Sequence, residues 1–304
     1  MLSEKIFIFL KQIIYDVFFP DCDELQLNGV NISGVYPIRL PDRRILNVWC
    51  DTTTAHGGWT VIQRRFDGSV NFERDWEDYS FGFGNVNTEY WIGNEILYKM
   101  THYKNYTVRF DLWDWEDGYR YAEYDNFLVE GEKSQYMLHI GAYRGTAGDA
   151  MSSYHNKQKF STPEEDNDRW FMNCAQKDHA GWWYQACGQA SLNGQYLHKG
   201  ESNLGPGGVY SGIIWFPWHN DYAHPLKRVE IKVKSYIQVK IDREKEEEMQ
   251  RKEREELRRR EEERIPNSDK NSQDSDGATT VGATVPSLVE GTTDTPFYTD
   301  DYDF

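Results

Sequence analysis

The sequence of 304 residues carries 34 basic and 50 acidic side chains, which give a net charge of −16. Lys and Arg are most densely placed between residues 240 and 264, where Glu residues lie among them. The sequence therefore offers no purely basic cluster that could neutralise phosphate groups, and nucleic-acid binding is disfavoured. Aromatic residues make up 15% of the chain, enough to build a dense core over a large part of its length.

Residues 1–20 form the first predicted segment. Its apolar residues recur at helical spacing, at Ile6, Leu10, Ile13, Ile14 and Val17. Lys11, Gln12 and Asp16 interrupt them, and no small-x-small cleavage site follows before Cys22. The segment is interpreted either as a degenerate signal sequence or as an amphipathic helix, and it is too short and too interrupted to span a membrane.

Residues 21–237 are predicted to form the globular domain. Residues 94–100 give the clearest helix signal. Short apolar or aromatic runs typical of strands occur at residues 59–62, 106–112 and 229–233. Residues 161–212 are rich in Gly, Asn, Asp and Trp and show no period. A long irregular segment of this kind usually needs a disulfide or a metal to hold it, and it is often where function lies.

The C-terminal part of the chain differs in composition from the rest. Residues 240–265 are predicted to form a charged single helix, because Glu precedes Arg or Lys by four residues in pairs such as Glu255 with Arg259. Between Arg243 and Arg264 only Met249 and Leu257 are apolar, which favours an isolated helix over a coiled coil. Residues 266–304 are rich in Ser, Thr and Asp and are predicted to be a disordered acidic tail.

The chain has four cysteines, Cys22, Cys50, Cys174 and Cys187, and none shows the Cys-x₂-Cys spacing of a zinc site. Disulfides are therefore the favoured interpretation. Of the three connectivities, nearest-neighbour pairing would close two modest loops that each contribute about 3 kcal/mol. Disulfides imply an oxidising compartment and thus a secreted protein, with which the glycosylation sequons at Asn31 and Asn105 are compatible.

Asp166 and Asp168 place two carboxylates two residues apart in the irregular segment. Carboxylate oxygens in a loop suit Ca²⁺, which accepts irregular geometry and backbone carbonyls. The pattern is not an EF-hand, because the sixth position from Asp166 is Phe171 rather than Gly and the twelfth is Lys177 rather than Glu.

Longer motifs indicate a family. Residues 57–69 read Gly-Gly-Trp-Thr-Val-Ile-Gln-Arg-Arg-Phe-Asp-Gly-Ser and residues 89–95 read Glu-Tyr-Trp-Ile-Gly-Asn-Glu. Shorter motifs follow in order at residues 122–124, 145–148, 166–168, 173–175, 181–184, 192–194 and 212–215. Together they resemble the fibrinogen C-terminal, or fibrinogen-related, domain family, which includes the ficolins and tachylectin-like proteins. The resemblance covers residues 21 to about 234.

This resemblance implies an α+β fold with a small N-terminal subdomain, a central mainly antiparallel sheet with short helices, and a loop-rich calcium-binding subdomain. It implies the disulfides Cys22–Cys50 and Cys174–Cys187. It also implies a Ca²⁺ site whose ligands are the side chains of Asp166 and Asp168 and the main-chain carbonyls of Trp170 and Met172, although Met172 stands where members often have Gly.

The same resemblance implies a ligand pocket beside the second disulfide. Members commonly have a cis peptide bond before the fourth cysteine, here Ala186–Cys187, which exposes a main-chain N–H to the ligand. The other pocket positions hold Asp178, Gly188, Val209 and Tyr210. Lectin-like members have Tyr and His in place of Asp178 and Gly188, so the acetyl-binding cup is not retained; a carboxylate at Asp178, as in the fibrinogen γ-chain, favours a cationic ligand instead. Trp182 and Trp183 are expected to be core residues.

The sequence contains no nucleophile elbow, zinc-protease motif or phosphate-binding loop, so we do not expect an enzyme. We interpret the chain as a secreted, calcium-dependent recognition module of lectin type that binds glycans or microbial surfaces. The alternative is an extracellular protein-binding module of matrix, growth-factor or clotting type. Homo-oligomer formation is left open, because weak monovalent binding often depends on avidity.

Overall fold

The computed structural model describes residues 19–201 and 210–264. The first predicted segment, apart from its last two residues, and the predicted acidic tail lie outside these residues. By its internal contacts the chain divides into two units, residues 1–251 and 252–304.

The centre of the first unit is a ten-stranded sheet in which all strand pairs are antiparallel, with the order β1-β2-β3-β12-β6-β7-β8 along its main path. Off this path β5 pairs with β3 and β4, and β9 pairs with β7. A separate two-stranded sheet contains β10 and β11. The strands are β1 (Gly34–Arg39), β2 (Ile45–Asp51), β3 (Trp59–Arg65), β4 (Phe83–Gly84), β5 (Tyr90–Trp91), β6 (Tyr106–Trp113), β7 (Tyr119–Val129), β8 (Leu138–His139), β9 (Tyr143–Gly145), β10 (Ala190–Ser191), β11 (Ile214–Trp215) and β12 (Arg228–Ser235).

Short helices flank the sheet. They are α1 (Cys22–Leu27), α2 (Trp76–Phe81), α3 (Asn94–Tyr103), α4 (Cys174–Asp178), α5 (Phe216–His219) and α6 (Tyr236–Arg264), with single 3₁₀ turns at Thr54–His56 and Glu132–Ser134. Asp21 and Asp75 cap α1 and α2, because their side chains accept the N–H of Glu24 and of Asp78. This combination confirms the predicted α+β class.

Strand β12 enters the sheet between β3 and β6, although it comes last in the chain. On its core-facing side Ile231 lies opposite Phe110 and Val229 opposite Leu112, and these four side chains are buried. Alternation along a strand sends every second side chain to the other face. This side of β12 therefore packs against the core of the domain.

The other face of the sheet carries charged residues that bind one another. Lys232 is 1% exposed, and its Nζ lies 2.7 Å from Oδ2 of Asp51, 2.8 Å from Oδ2 of Asp111 and 2.9 Å from Oε2 of Glu230. Burial alone would lower the pKa of Lys232, but the three carboxylates raise it above its ordinary value. The lysine is therefore held charged in a place with almost no water.

Helix α6 follows β12 directly and begins four residues earlier than the predicted charged helix. Val239 is buried, and Arg243 donates to Oε2 of Glu123 at 2.8 Å and to Oδ1 of Asp125 at 3.1 Å. Lys234 also pairs with Asp242. The prediction of an isolated helix is wrong for these first turns. Buried Val239 and Arg243, whose guanidinium pairs with two carboxylates, anchor them to the polar face of the sheet.

In the second unit, the described residues Lys252–Arg264 are the last turns of this helix, with ion pairs between Arg260 and Glu256 and between Arg258 and Glu262. Among residues 19–201 and 210–264, no helix has the length and apolar character needed to cross a membrane.

Both predicted disulfides are confirmed. Cys22–Cys50 joins α1 to β2 with Cα atoms 5.4 Å apart, and Cys174–Cys187 joins α4 to the loop before β10 with Cα atoms 5.2 Å apart. No cysteine is free. At the edge of the sheet, β1 carries Pro37, which has no N–H to donate.

Candidate ligand-binding site

The loop that precedes the second disulfide is fixed at its base by side-chain hydrogen bonds. The side chain of Asn173 caps α4, because its Oδ1 accepts the N–H of Gln176 at 3.0 Å. Its Nδ2 donates to the main-chain carbonyls of Thr162 and Pro163. The disulfide Cys174–Cys187 ties the start of this helix to the next loop. The irregular segment is therefore held in one shape by specific bonds rather than by regular secondary structure.

The two carboxylates predicted to bind Ca²⁺ lie together in this loop. Oδ1 of Asp168 accepts the N–H of Trp170 and its Oδ2 accepts the N–H of Cys174, both at 2.8 Å, while Asp166 accepts the N–H of Asp168 at 3.1 Å. Burial, together with the charge of Asp166, raises the pKa of Asp168. Each carboxylate oxygen retains a second lone pair, so the pair offers the hard oxygen donors that Ca²⁺ prefers.

Asp166 and Asp168 alone do not supply enough ligands for a calcium site, so main-chain carbonyls or water would have to supply the others. In the part of the chain that the structure describes, no group of three or more His, Cys, Asp or Glu side chains is placed to hold a metal. Trp170 is partly buried and Met172 is half exposed, on the same loop as the carboxylates. The donor set fits a calcium ion with several carbonyl or water ligands rather than a transition metal.

His155, which the sequence analysis did not single out, holds the loop after the second disulfide. Its Nδ1 donates to the carbonyl of Trp183 at 2.8 Å, and its Nε2 accepts the N–H groups of Gln189 and Ala190, both at 3.1 Å. The ring is completely buried, and burial lowers the pKa of His155 to about 4. A neutral imidazole with Nδ1 protonated is the form that makes all three bonds.

Two positions predicted for the pocket, Gly188 and Tyr210, meet through Tyr222. The hydroxyl of Tyr222 donates to the carbonyl of Gly188 at 3.3 Å, and the rings of Tyr210 and Tyr222 stack with centroids 5.9 Å apart. The ring of Phe216 lies 4.5 Å from that of Tyr222. On the same loop, the hydroxyl of Tyr154 donates to the carbonyl of Ala186 at 3.4 Å.

We call these four partly exposed rings, Tyr154, Tyr210, Phe216 and Tyr222, the aromatic wall. It stands beside Ala186, Cys187 and Gly188, so the structure brings the predicted loop positions together with Tyr210. The wall was not predicted as a unit, because its members are spread over 69 positions of the chain and have no common motif. Val209 lies outside the described residues.

Asp178 lies behind this site and is 3% exposed. Its Oδ1 lies 3.0 Å from Nζ of Lys177, and burial raises the pKa of Asp178. Burial raises the pKa of Tyr222 as well. The expectation that Asp178 presents an open carboxylate to a cationic ligand is wrong for this structure, because Lys177 already neutralises it.

Three other expectations are decided by the geometry. The Ala186–Cys187 bond is trans, like every peptide bond of residues 19–201 and 210–264. The cis bond implied by the resemblance is therefore wrong for this structure. For a non-proline residue the trans form is favoured by about 3 to 4 kcal/mol. Trp182 and Trp183 are buried in the core as expected. Asn31 and Asn105, the acceptor residues of the two sequons, are exposed, whereas Thr107 of the second sequon is buried.

Comparison with known proteins agrees with this fold. Residues 18–236 match the family model described as fibrinogen beta and gamma chains, C-terminal globular domain. The chain belongs to this family. Fibrinogen-like protein 1 of Bos taurus is 44% identical over 230 residues, which are 71% of this chain and 72% of that protein. Human angiopoietin-related protein 7 is 40% identical over 218 residues, 70% of this chain and 61% of that one.

Solved structures are similar as well. The fibrinogen-like globe domain of human ANGPTL2 superposes with a TM-score of 0.68 at 38% identity and covers 72% of this chain and 99% of that domain. Lamprey fibrin D-dimer, in complex with the peptide ligand Gly-His-Arg-Pro-amide, gives a TM-score of 0.67 at 34% identity over 77% of this chain and 85% of that one. These relatives confirm the family but do not single out its ficolin or tachylectin subgroup.

Proposed function

We propose that this chain is a secreted, non-catalytic module that binds an extracellular protein through the aromatic wall and the adjoining loop at residues 186–188. The observation that carries the proposal is the gathering of three tyrosines and one phenylalanine against a loop fixed by a disulfide and by His155. Tyrosine supplies large apolar area and a hydroxyl at low conformational entropy cost, and it is enriched at protein–protein interfaces.

The chemistry of the pocket favours this alternative over the lectin interpretation. An acetyl group needs a closely fitting apolar pocket. Here one of the family's pocket positions is Asp178, a carboxylate that is paired with Lys177. The relatives also support the choice, since they include fibrinogen-like protein 1, angiopoietin-related proteins and a fibrin whose structure contains a peptide ligand. A peptide can bond to main-chain groups of the loop while its side chains pack on the rings.

We further propose that Ca²⁺ binds between Asp166 and Asp168 and supplies positive charge where two carboxylates repel each other. Asp168 would then be held ionised, and its hydrogen bonds to Trp170 and Cys174 would be strengthened. The ion would thereby fix the disulfide loop and, through it, the aromatic wall. Its role would be structural, with no chemical step.

The test is a binding screen with purified protein in Ca²⁺, against immobilised ectodomains of cell-surface receptors, matrix proteins and an array of acetylated and anionic glycans. We expect an ectodomain or matrix protein to bind, with affinity reduced at least tenfold by Tyr222→Ala and less by Tyr222→Phe, which keeps the ring. Tyr103→Phe, at an exposed tyrosine of α3, is the control. Calcium-dependent binding to glycans alone would instead support the lectin interpretation.

A further inference from the structure

The loop between Asp168 and Cys174 ends in an exposed apolar tip. Phe171 is 86% exposed and Met172 is 50% exposed, whereas Trp170 is partly buried and packs on the core. The rings of Trp170 and Phe171 meet edge to face with centroids 5.2 Å apart. We call Phe171 and Met172 the loop tip.

The loop tip is held outward by a rigid base. The Asp168 carboxylate binds the N–H groups on both sides of the tip, those of Trp170 and Cys174, and Arg169 donates its N–H to the carbonyl of Gln185 at 2.7 Å. The disulfide of Cys174 completes the base. An apolar group that is ordered before binding loses little entropy when a partner covers it, which is the property of an anchor residue.

The base of the loop tip is bonded to the loop beside the aromatic wall. Gln185, whose carbonyl accepts the N–H of Arg169, directly precedes Ala186, and its own N–H binds the carbonyl of Cys187 at 2.8 Å. The base of the tip and the loop at residues 186–188 are thus linked through one residue.

The surroundings of the loop tip decide which partner suits it. Glu164, Glu165 and Asp166 are exposed just before it, and Asp168 is at its base, against the single guanidinium of Arg169. The segment stays net acidic even with one Ca²⁺ bound, so it repels the anionic headgroups of a lipid surface. A second copy of the chain would bring the same carboxylates together and be repelled as well.

We infer that the loop tip inserts into an apolar pocket, bordered by basic side chains, on the extracellular protein that the aromatic wall binds. This inference rests on the proposed function and adds to it the anchor residues and the charge of the partner. Phe171 fills the pocket, Met172 adapts to its wall, and the preceding carboxylates face the basic border. Neither residue contributes to the core, so their side chains are free to contact a partner.

The experiment uses the full chain in Ca²⁺ and the protein found in the binding screen, with affinities measured by surface plasmon resonance. We expect Phe171→Ser to weaken binding at least tenfold, and Glu165→Lys to lower the association rate several-fold in low salt. Leu27→Ser is the matched control, because it removes another exposed apolar side chain, one that is 61% exposed on α1. It should bind as the unmodified chain does. Thermal unfolding verifies that each variant is folded.

The outcomes separate the two proposals. Loss of binding in Tyr222→Ala but not in Phe171→Ser would retain the protein-binding function and overturn the anchor role of the loop tip. A screen in which no protein binds would overturn both. Sedimentation with phosphatidylserine vesicles in Ca²⁺, abolished by Phe171→Ser, would assign the tip to a membrane and overturn the inference, as would tighter binding of Glu165→Lys.

Discussion

The imidazole of His155 lies against the main chain of Gly188, so closely that a Cβ atom at position 188 would be 2.7 Å from Nε2. The same nitrogen accepts the N–H groups of the next two residues, Gln189 and Ala190. Glycine at this position is therefore what permits the loop to close on the histidine. Any larger side chain has to move the ring or the loop.

We expect Gly188→Ala to lower the free energy of unfolding by about 1 to 3 kcal/mol, the usual cost of overpacking a rigid site. Urea unfolding followed by tryptophan fluorescence measures this. Gly34→Ala is the control, because a Cβ there would meet only the ring of Tyr36 at an ordinary 3.6 Å. Equal losses in both variants would contradict the close contact with His155.

His155 should make stability depend on pH. Its folded pKa of about 4 lies below the ordinary 6.5, so between these values the unfolded chain binds a proton that the folded chain does not. The stability that the neutral His155 contributes to the folded state is fully present above pH 6.5 and is lost as the pH falls toward 4. Between pH 7.5 and 5.5 the loss is about 1 kcal/mol.

The measurement compares urea unfolding at the two pH values in the unmodified chain and in His155→Gln, and the difference between their pH dependences is the histidine term. The comparison is needed because Asp23 acts in the opposite direction. Burial and the nearby charge of Asp21 raise the pKa of Asp23 from 3.8 to about 7, so between these values the folded chain keeps a proton that the unfolded chain has lost, and stability falls as the pH rises. An unchanged pH dependence in His155→Gln would refute the prediction.

The anchor of α6 is also testable. Arg243→Ala leaves Glu123 and Asp125 with one guanidinium fewer, and we expect it to cost about 1 to 3 kcal/mol of stability because the pairs are only partly exposed. Amide hydrogen exchange should speed up in the first turns of α6. Arg251→Ala, at an exposed position of the same helix, should leave both quantities unchanged.

The proposed calcium site gives a fourth prediction. Ca²⁺ should raise the midpoint of thermal unfolding relative to a chelator, and replacing both Asp166 and Asp168 by Asn should abolish this difference and make residues 161–212 sensitive to protease. Asp221→Asn, at an exposed carboxylate whose Oδ2 lies 3.3 Å from Nδ1 of His224, serves as the control. The site is refuted if the chelator has no effect on the unmodified chain.

Much of the fold could be predicted from local patterns. The strand signals at residues 59–62, 106–112 and 229–233 fall within β3, β6 and β12, and the local cysteine pairs are those observed. The insertion of β12 between β3 and β6 could not be derived from alternation, since that pattern specifies a strand's faces and not its neighbours. The family resemblance implied a mainly antiparallel sheet but was not used to predict this strand order.

The candidate site was predicted less completely. Tyr210, Ala186 and Gly188 come together as expected, but His155 stands among polar residues without a motif, and its role depends on main-chain groups that no sequence pattern reports. Asp178 was expected to face a cationic ligand because it occupies a pocket position in the family, as in the fibrinogen γ-chain. It is buried instead, with Nζ of Lys177 at 3.0 Å from its Oδ1.

The proline in β1 has a consequence for how molecules of this protein can meet. A strand at the border of a sheet normally offers a ladder of free N–H and C=O groups to any other chain, a common start of fibrous aggregates. Pro37 interrupts that ladder in the middle of a six-residue strand. Extension of the sheet from this border is thereby obstructed, so the β1 edge is protected against pairing with a strand of another chain.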